Sequence, residues 1–151
     1  HVGADVVPGT DAPTGGRETN TDIWAHSRVP SKRLFTNLKR VRKDDTVVMT
    51  VARKHYAYRV FRIQTVLPTA VRELEPERGE DLATLITCTP YMVNSHRLLV
   101  TGRRVPYTAA VAKQADQGAK ERYNRSTVIL IAVVAGIIGL IVVLVWRRQR
   151  R

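Results

Sequence analysis

The sequence predicts a mainly β domain that closes, or nearly closes, into a barrel with short helices, followed by one C-terminal transmembrane α-helix. Three observations carry that prediction. Runs rich in β-branched and aromatic residues recur at short intervals, separated by proline, glycine, asparagine and aspartate. Two of the longest runs, 46–53 and 56–67, are divided only by a short basic turn and read as a hairpin. Residues 126–146 carry no charge and are almost entirely Val, Ile, Leu, Ala and Gly. Closure of the strands would remove the open edges that an isolated five-strand sheet exposes.

The elements follow in order. Residues 2–7 read as the end of a short strand, and the dense turn chemistry of Pro8-Gly9 and Gly15-Gly16 ends it. Residues 22–26 read as a second short strand, with Ile23 and Trp24 for packing. Pro30 is expected to open a helix capped by Ser31, because Leu34, Phe35, Leu38 and Val41 fall on one helical face. After the hairpin, residues 68–80 are polar, contain two prolines and a glycine, and read as a loop. Residues 82–88 form a strand, 89–96 a loop and 97–105 a final strand. Residues 109–124 read as a polar, partly helical linker. The chain starts with His1 and shows no charged-then-apolar leader, so upstream sequence, including early barrel strands, is expected to precede it.

The uncharged run is long enough to cross a hydrocarbon core of about 30 Å at about 1.5 Å per residue. It also lacks the polar stripe of a soluble amphipathic helix. Arg147, Arg148, Arg150 and Arg151 follow it, which places that end in the cytoplasm and the body outside. The expected division is a body at 1–107, a juxtamembrane linker at 108–125, the span at 126–146 and a basic tail at 147–151. The chain has 25 basic and 13 acidic residues, a net charge of +12; without the four tail arginines the remainder is still +8. An outward-facing basic body suits membrane lipid or an anionic envelope polymer rather than nucleic acid.

Cys88 is the only cysteine, so no internal disulfide is possible. A lone thiol in an exported protein is either buried and inert or retained for reactivity. It stands at the end of a strand, where Thr89-Pro90 halts the ladder. Arg97 lies on the expected neighbouring strand, where its fixed charge could stabilise a thiolate or a developing oxyanion. Of the histidines, His1 is terminal, His55 sits in the basic hairpin turn and His96 precedes Arg97. His26 ends a strand before a turn, a place where loops present catalytic groups. Scattered histidines and one cysteine lack zinc-ligand spacing, and no phosphate-binding glycine loop is present; no metal and no cofactor are expected.

The run Thr84-Leu85-Ile86-Thr87-Cys88, continued by Thr89-Pro90-Tyr91-Met92 and by Asn94, His96, Arg97, Leu98, Leu99 and Val100, resembles the active-site signature of sortases. Its extension beyond the cysteine is most similar to the class C, pilin-polymerising members. Gly9-Thr10, Pro13, Gly15-Gly16, Ala25-His26 and Leu34-Phe35-Thr36 with Leu38 match the same family upstream. The resemblance covers roughly residues 1–107, and it implies a sortase-type β-barrel and a cysteine transpeptidase. It places Cys88 at the nucleophile position, His26 at the catalytic histidine and Arg97 at the catalytic arginine, with Thr87 as a substrate-binding neighbour. It implies cleavage of a Leu-Pro-x-Thr-Gly-like sorting signal between Thr and Gly, through a thioacyl enzyme. The partners implied are pilins or other sorting-signal-bearing surface proteins and an acceptor amine, a pilin lysine or a cell-wall peptide. The 68–80 loop corresponds to one that helps form the sorting-signal groove. Relatives commonly read His-Arg-Gly where this chain has His26-Ser27-Arg28, and the class C lid lies upstream of His1. Two rival readings are a housekeeping-type sortase that attaches proteins to cell-wall amines and a non-catalytic, basic, envelope-binding module.

Overall fold

A computed structural model of the chain describes residues 4–27, 34–90 and 93–149, with residues 71, 118–127, 130, 140–145 and 147–149 described as backbone alone. It divides into two units, residues 1–115 and 116–151. The first unit holds six strands: β1 (Asp5–Val6), β2 (Thr19–Trp24), β3 (Thr46–Val51), β4 (Lys54–Val66), β5 (Asp81–Thr89) and β6 (His96–Val105). They form one sheet in the order β1-β2-β5-β6-β4-β3. All neighbours are antiparallel except β2 and β5, which run parallel with Asp22 opposite Thr84 and Trp24 opposite Ile86.

The mainly β prediction holds, and the strands lie where the β-branched runs placed them. Closure is not seen among the described residues: β1 and β3 are the outer strands, each paired on one side. β4 carries a register shift between Val60 and Arg62 against β6, a bulge that bends and twists the strand. β5 is the most enclosed strand. Residues 82–87 are all buried, because its two faces are covered and both of its edges are paired.

Two apolar clusters share one face of the sheet. Leu38, Val60, Leu85, Leu98 and Val100 form the larger, with Ile23, Phe35, Val41, Val47 and Ile63 packed against them. Met49, Tyr58 and Ala83 form the smaller, bordered by Ile23, Val47 and Tyr56. Phe35, Leu38 and Val41 therefore bury the face that the sequence pattern marked, yet they do so without the expected α-helix. The described part of that segment is a pair of tight turns, Leu38 N–H to Phe35 O and Arg40 N–H to Asn37 O, around a 3₁₀ turn at Leu38–Arg40. The expected start at Pro30 and cap at Ser31 lie outside the described residues.

The hairpin turn is Ala52-Arg53, with φ of 48° and 66° at its two central residues. That mirror-image turn matches the right-handed twist of the flanking strands. The 68–80 loop is anchored rather than free. It contains a 3₁₀ turn at Val71–Leu74, and side-chain contacts tie it to the sheet. Arg62 pairs with Glu77, Gln64 Nε2 donates to Glu73 Oε2 at 3.1 Å, and Asn20 Nδ2 donates to the Leu74 carbonyl at 2.9 Å.

One continuous α-helix, α1 (Ala109–Gln149), runs through the stretch expected to hold the linker and the span. Val128, Ile129, Ile131, Val133, Val134, Ile137 and Ile138 are exposed along it. The transmembrane helix expected at 126–146 is not supported: among the described residues no helix is long and apolar enough to cross a membrane. Much of that run's apolar character comes from residues 140–145, whose side chains lie outside the description, as do those of Arg147, Arg148, Arg150 and Arg151.

Candidate active site

Cys88 and Arg97 stand directly opposite each other, one near the end of β5 and one near the start of β6. Alternation along a strand sends Ile86, Cys88, Arg97 and Leu99 to one face of the sheet, away from the apolar clusters. Cys88 is a free thiol of intermediate exposure. The Arg97 guanidinium is aimed by its own loop: its Nη1 donates to the Asn94 carbonyl at 3.0 Å and to the His96 carbonyl at 3.1 Å. This leaves a fixed cation on the residue opposite the cysteine, with further N–H groups available for an acceptor.

His26 reaches the same place from the other side of β5. Parallel pairing holds as far as Trp24 opposite Ile86, and the Ala25 N–H then donates to the Ile86 carbonyl at 3.1 Å. Continuing that register brings His26 level with Cys88. Ala25 is buried and His26 exposed. The backbone is pinned on both sides of the imidazole. The buried Thr87 hydroxyl donates to the Ala25 carbonyl at 2.8 Å, and the Phe35 N–H donates to the His26 carbonyl at 3.2 Å. β5 therefore stands between the strand that carries Arg97 and the segment that carries His26. The three residues expected from the sequence come from separate segments, and backbone register sets them at one end of the sheet. His55 lies at the other end of β4, bonded to Thr50 and stacked on Tyr107, and His96 pairs with Ser95.

Trp24 was read from the sequence only as a packing residue. It is 40% exposed, and its ring stands edge-on to the His26 imidazole, with centroids 5.5 Å apart and planes at 74°. It shares the strand face of Cys88. The period-2 pattern of β2 could have marked it, because Asn20, Asp22 and Trp24 alternate to that face.

Asp22 is the second feature that the sequence did not reveal. It is fully buried, and among the described residues neither carboxylate oxygen has a hydrogen-bond partner. Burial, reinforced by the negative charge of Asp11, pushes its carboxyl up to about 7. Thr84, opposite it, counters this only weakly, since its hydroxyl donates to Asn20 Oδ1 at 3.0 Å. Tyr58, deep in the smaller cluster, is pushed up to about 12 by burial and by Asp81, whose Oδ1 accepts its hydroxyl proton.

A cavity of about 130 Å³ opens beside Cys88 on the side facing the 34–40 segment. Among the described residues it is lined by Ser27, Phe35, Thr36, Lys39, Thr87, Cys88, Thr89 and Leu98. Among the described residues no group of three or more His, Cys, Asp or Glu side chains is placed to hold a metal ion.

Residues 3–105 match the family model of the sortase domain. Solved structures give the same answer. The crystal structure of Streptococcus pneumoniae sortase C is 46% identical with a TM-score of 0.68, over 70% of this chain and 54% of that one. Sortase C1 from Streptococcus suis is 46% identical with a TM-score of 0.68, over 71% of this chain and 60% of that one. Sortase C2 of Group B Streptococcus Pilus Island 1 is 45% identical with a TM-score of 0.67, over 69% of this chain and 59% of that one. The chain thus spans between half and two thirds of the length of these structures. No curated protein matches it.

Proposed function

The chain belongs to the sortase family and is most like its class C members, and on that premise we propose that it is a cysteine transpeptidase that polymerises pilins. The observation that supports this reading best is the direct cross-strand pairing of Cys88 with Arg97, with His26 brought level with the thiol along the other edge of β5.

In this mechanism the Cys88 thiolate attacks the Thr carbonyl carbon of a Leu-Pro-x-Thr-Gly-like signal. The carbonyl oxygen gains negative charge, and the Arg97 guanidinium stabilises it. Collapse of the tetrahedral adduct breaks the Thr–Gly bond, and the imidazolium of His26 protonates the departing Gly amine. The product is a thioester between Cys88 and Thr. A lysine amine then attacks that thioester, His26 takes its surplus proton, and Cys88 leaves as thiolate. An isopeptide bond has replaced the peptide bond, with no net change in protons. The loop at 68–80, anchored at Arg62, Gln64 and Asn20, is the groove wall on the acyl side.

The decisive experiment traps the thioester. The full chain incubated with a Leu-Pro-x-Thr-Gly peptide should gain the mass of the acyl fragment on Cys88, located by peptide mapping. Cys88→Ala should gain none and should keep the native far-ultraviolet dichroism. Peptide cleavage by Cys88→Ala would sink the mechanism.

The cell-envelope location belongs to the same proposal. It is supported by the uncharged sequence at 126–146 followed by four arginines, with the site facing outward. Added protease should reach residues 1–107 in intact wall-stripped cells; full protection there would overturn the orientation.

A further inference from the structure

A histidine that passes protons to and from amines needs a fixed ring as well as a fixed backbone. The backbone at His26 is held by the Thr87 hydroxyl on the Ala25 carbonyl and by the Phe35 N–H on the His26 carbonyl. Neither bond reaches the imidazole, so the side-chain torsions of His26 stay free to turn. In a Ser-His-Asp triad a carboxylate on the second ring nitrogen supplies the missing restraint. Here, among the described residues, no side chain is hydrogen-bonded or ion-paired to the His26 ring.

The His26 ring meets Trp24 instead. Trp24 ends β2 two positions before His26, so alternation along the extended chain sends both side chains to the face of Cys88 and Arg97. The ring centroids are 5.5 Å apart and the planes stand at 74°, inside the range in which aromatic rings attract edge to face. The Trp24 backbone is paired on both sides, with Asp5 in β1 and Ile86 in β5, so the indole rises from a fixed base. Trp24 is exposed and belongs to neither apolar cluster. Its contact with the imidazole is therefore no by-product of core packing.

We propose that Trp24 is a positioning residue of this enzyme, whose ring holds the His26 imidazole in the orientation that serves both the leaving and the entering amine. The proposal rests on the transpeptidase reading and deepens it, giving an aromatic side chain the restraint that a triad carboxylate supplies elsewhere. An imidazole released from the indole samples rotamers turned away from the reacting carbon, and both proton transfers wait on its return. The acyl half of the substrate is held by other residues, so the loss falls on kcat.

Peptide cleavage by the full chain and two variants tests it. Trp24→Leu keeps apolar bulk without a ring and should lower kcat by about two- to ten-fold, the worth of one aromatic pair, with KM changed by less than about two-fold. Trp24→Phe restores a ring and should recover most of the rate. Melting temperatures check that both variants fold. In the parent protein, nuclear Overhauser contacts should link the indole and imidazole protons, a readout that needs no variant to be stable. Equal kcat in the parent and Trp24→Leu, no recovery in Trp24→Phe, a loss carried by KM alone, or absence of the indole–imidazole contacts would each overturn the positioning role. None of these would touch the transpeptidase reading, provided the parent forms the Cys88 adduct; a parent that forms no adduct and cleaves no peptide would overturn both.

Discussion

Arg97 shows how much one residue type matters at this site. Two of its N–H contacts go to loop carbonyls, so its plane is set before substrate arrives. Lysine offers a point charge on a flexible stem and cannot reproduce that fork. Arg97→Lys is expected to lose most peptide cleavage, roughly 10²-fold or more on the scale of a lost oxyanion donor, with little change in melting temperature; near-normal rates would show that charge alone suffices. Asp22 sets a pH dependence of opposite sign to that of an ordinary paired carboxylate. Its carboxyl titrates at about 7 in the fold and at 3.8 when unfolded. Between those values the native chain holds a proton that the unfolded chain has released, so this contribution to stability is lost as pH rises from about 4 through about 7. Melting temperatures across that window should fall with pH in the parent and fall less in Asp22→Asn. Parallel curves would show that Asp22 does not titrate there.

At the scale of elements, the link between β2 and β5 decides where the histidine sits. Thr87 closes that link with a buried hydroxyl on the Ala25 carbonyl. Thr87→Val removes the donor and leaves the carbonyl unpaired, a cost of about 1–3 kcal/mol. It is expected to lower kcat more than it raises KM, because the histidine rather than the groove is displaced, and Thr87→Ser should restore the rate. A change confined to KM would assign Thr87 to substrate contact. The same element shows where pattern reading works. β4, β5 and β6 are β-branched, apolar and bounded by turns, so their positions were apparent within a residue or two. The 30–41 segment had a helical apolar period, but its described part folds as turns. A period of three to four reports which residues face the core, and tight turns can satisfy that as well as a helix does.

For the whole molecule, the described members of the first unit's apolar clusters lie between residues 23 and 100, inside the span that matches the sortase domain. Its two outer strands differ. β1 has two residues, while β3 offers a six-residue edge followed by a basic hairpin end at Arg53 and Lys54. Charged residues at such an edge discourage pairing with a second sheet. The second unit is helical as far as it is described. Residues 109–124, expected to be a partly helical linker, are helical throughout, and the alanine, lysine, glutamate and glutamine there are good helix formers.

The sequence by itself determined the β character, the candidate residues Cys88, His26 and Arg97, and the family. All of these depend on local residue type and spacing, which the chain carries along its length. Only the tertiary structure decided that Arg97 faces Cys88 across one ladder, with the histidine's segment paired along the other. It also decided that Asp22 is buried with no hydrogen-bond partner among the described residues, that Trp24 stands against His26, and that a cavity adjoins Cys88. These depend on strand register and on how separate segments pack together, and no local pattern encodes which of the many possible pairings the packed core makes lowest in free energy.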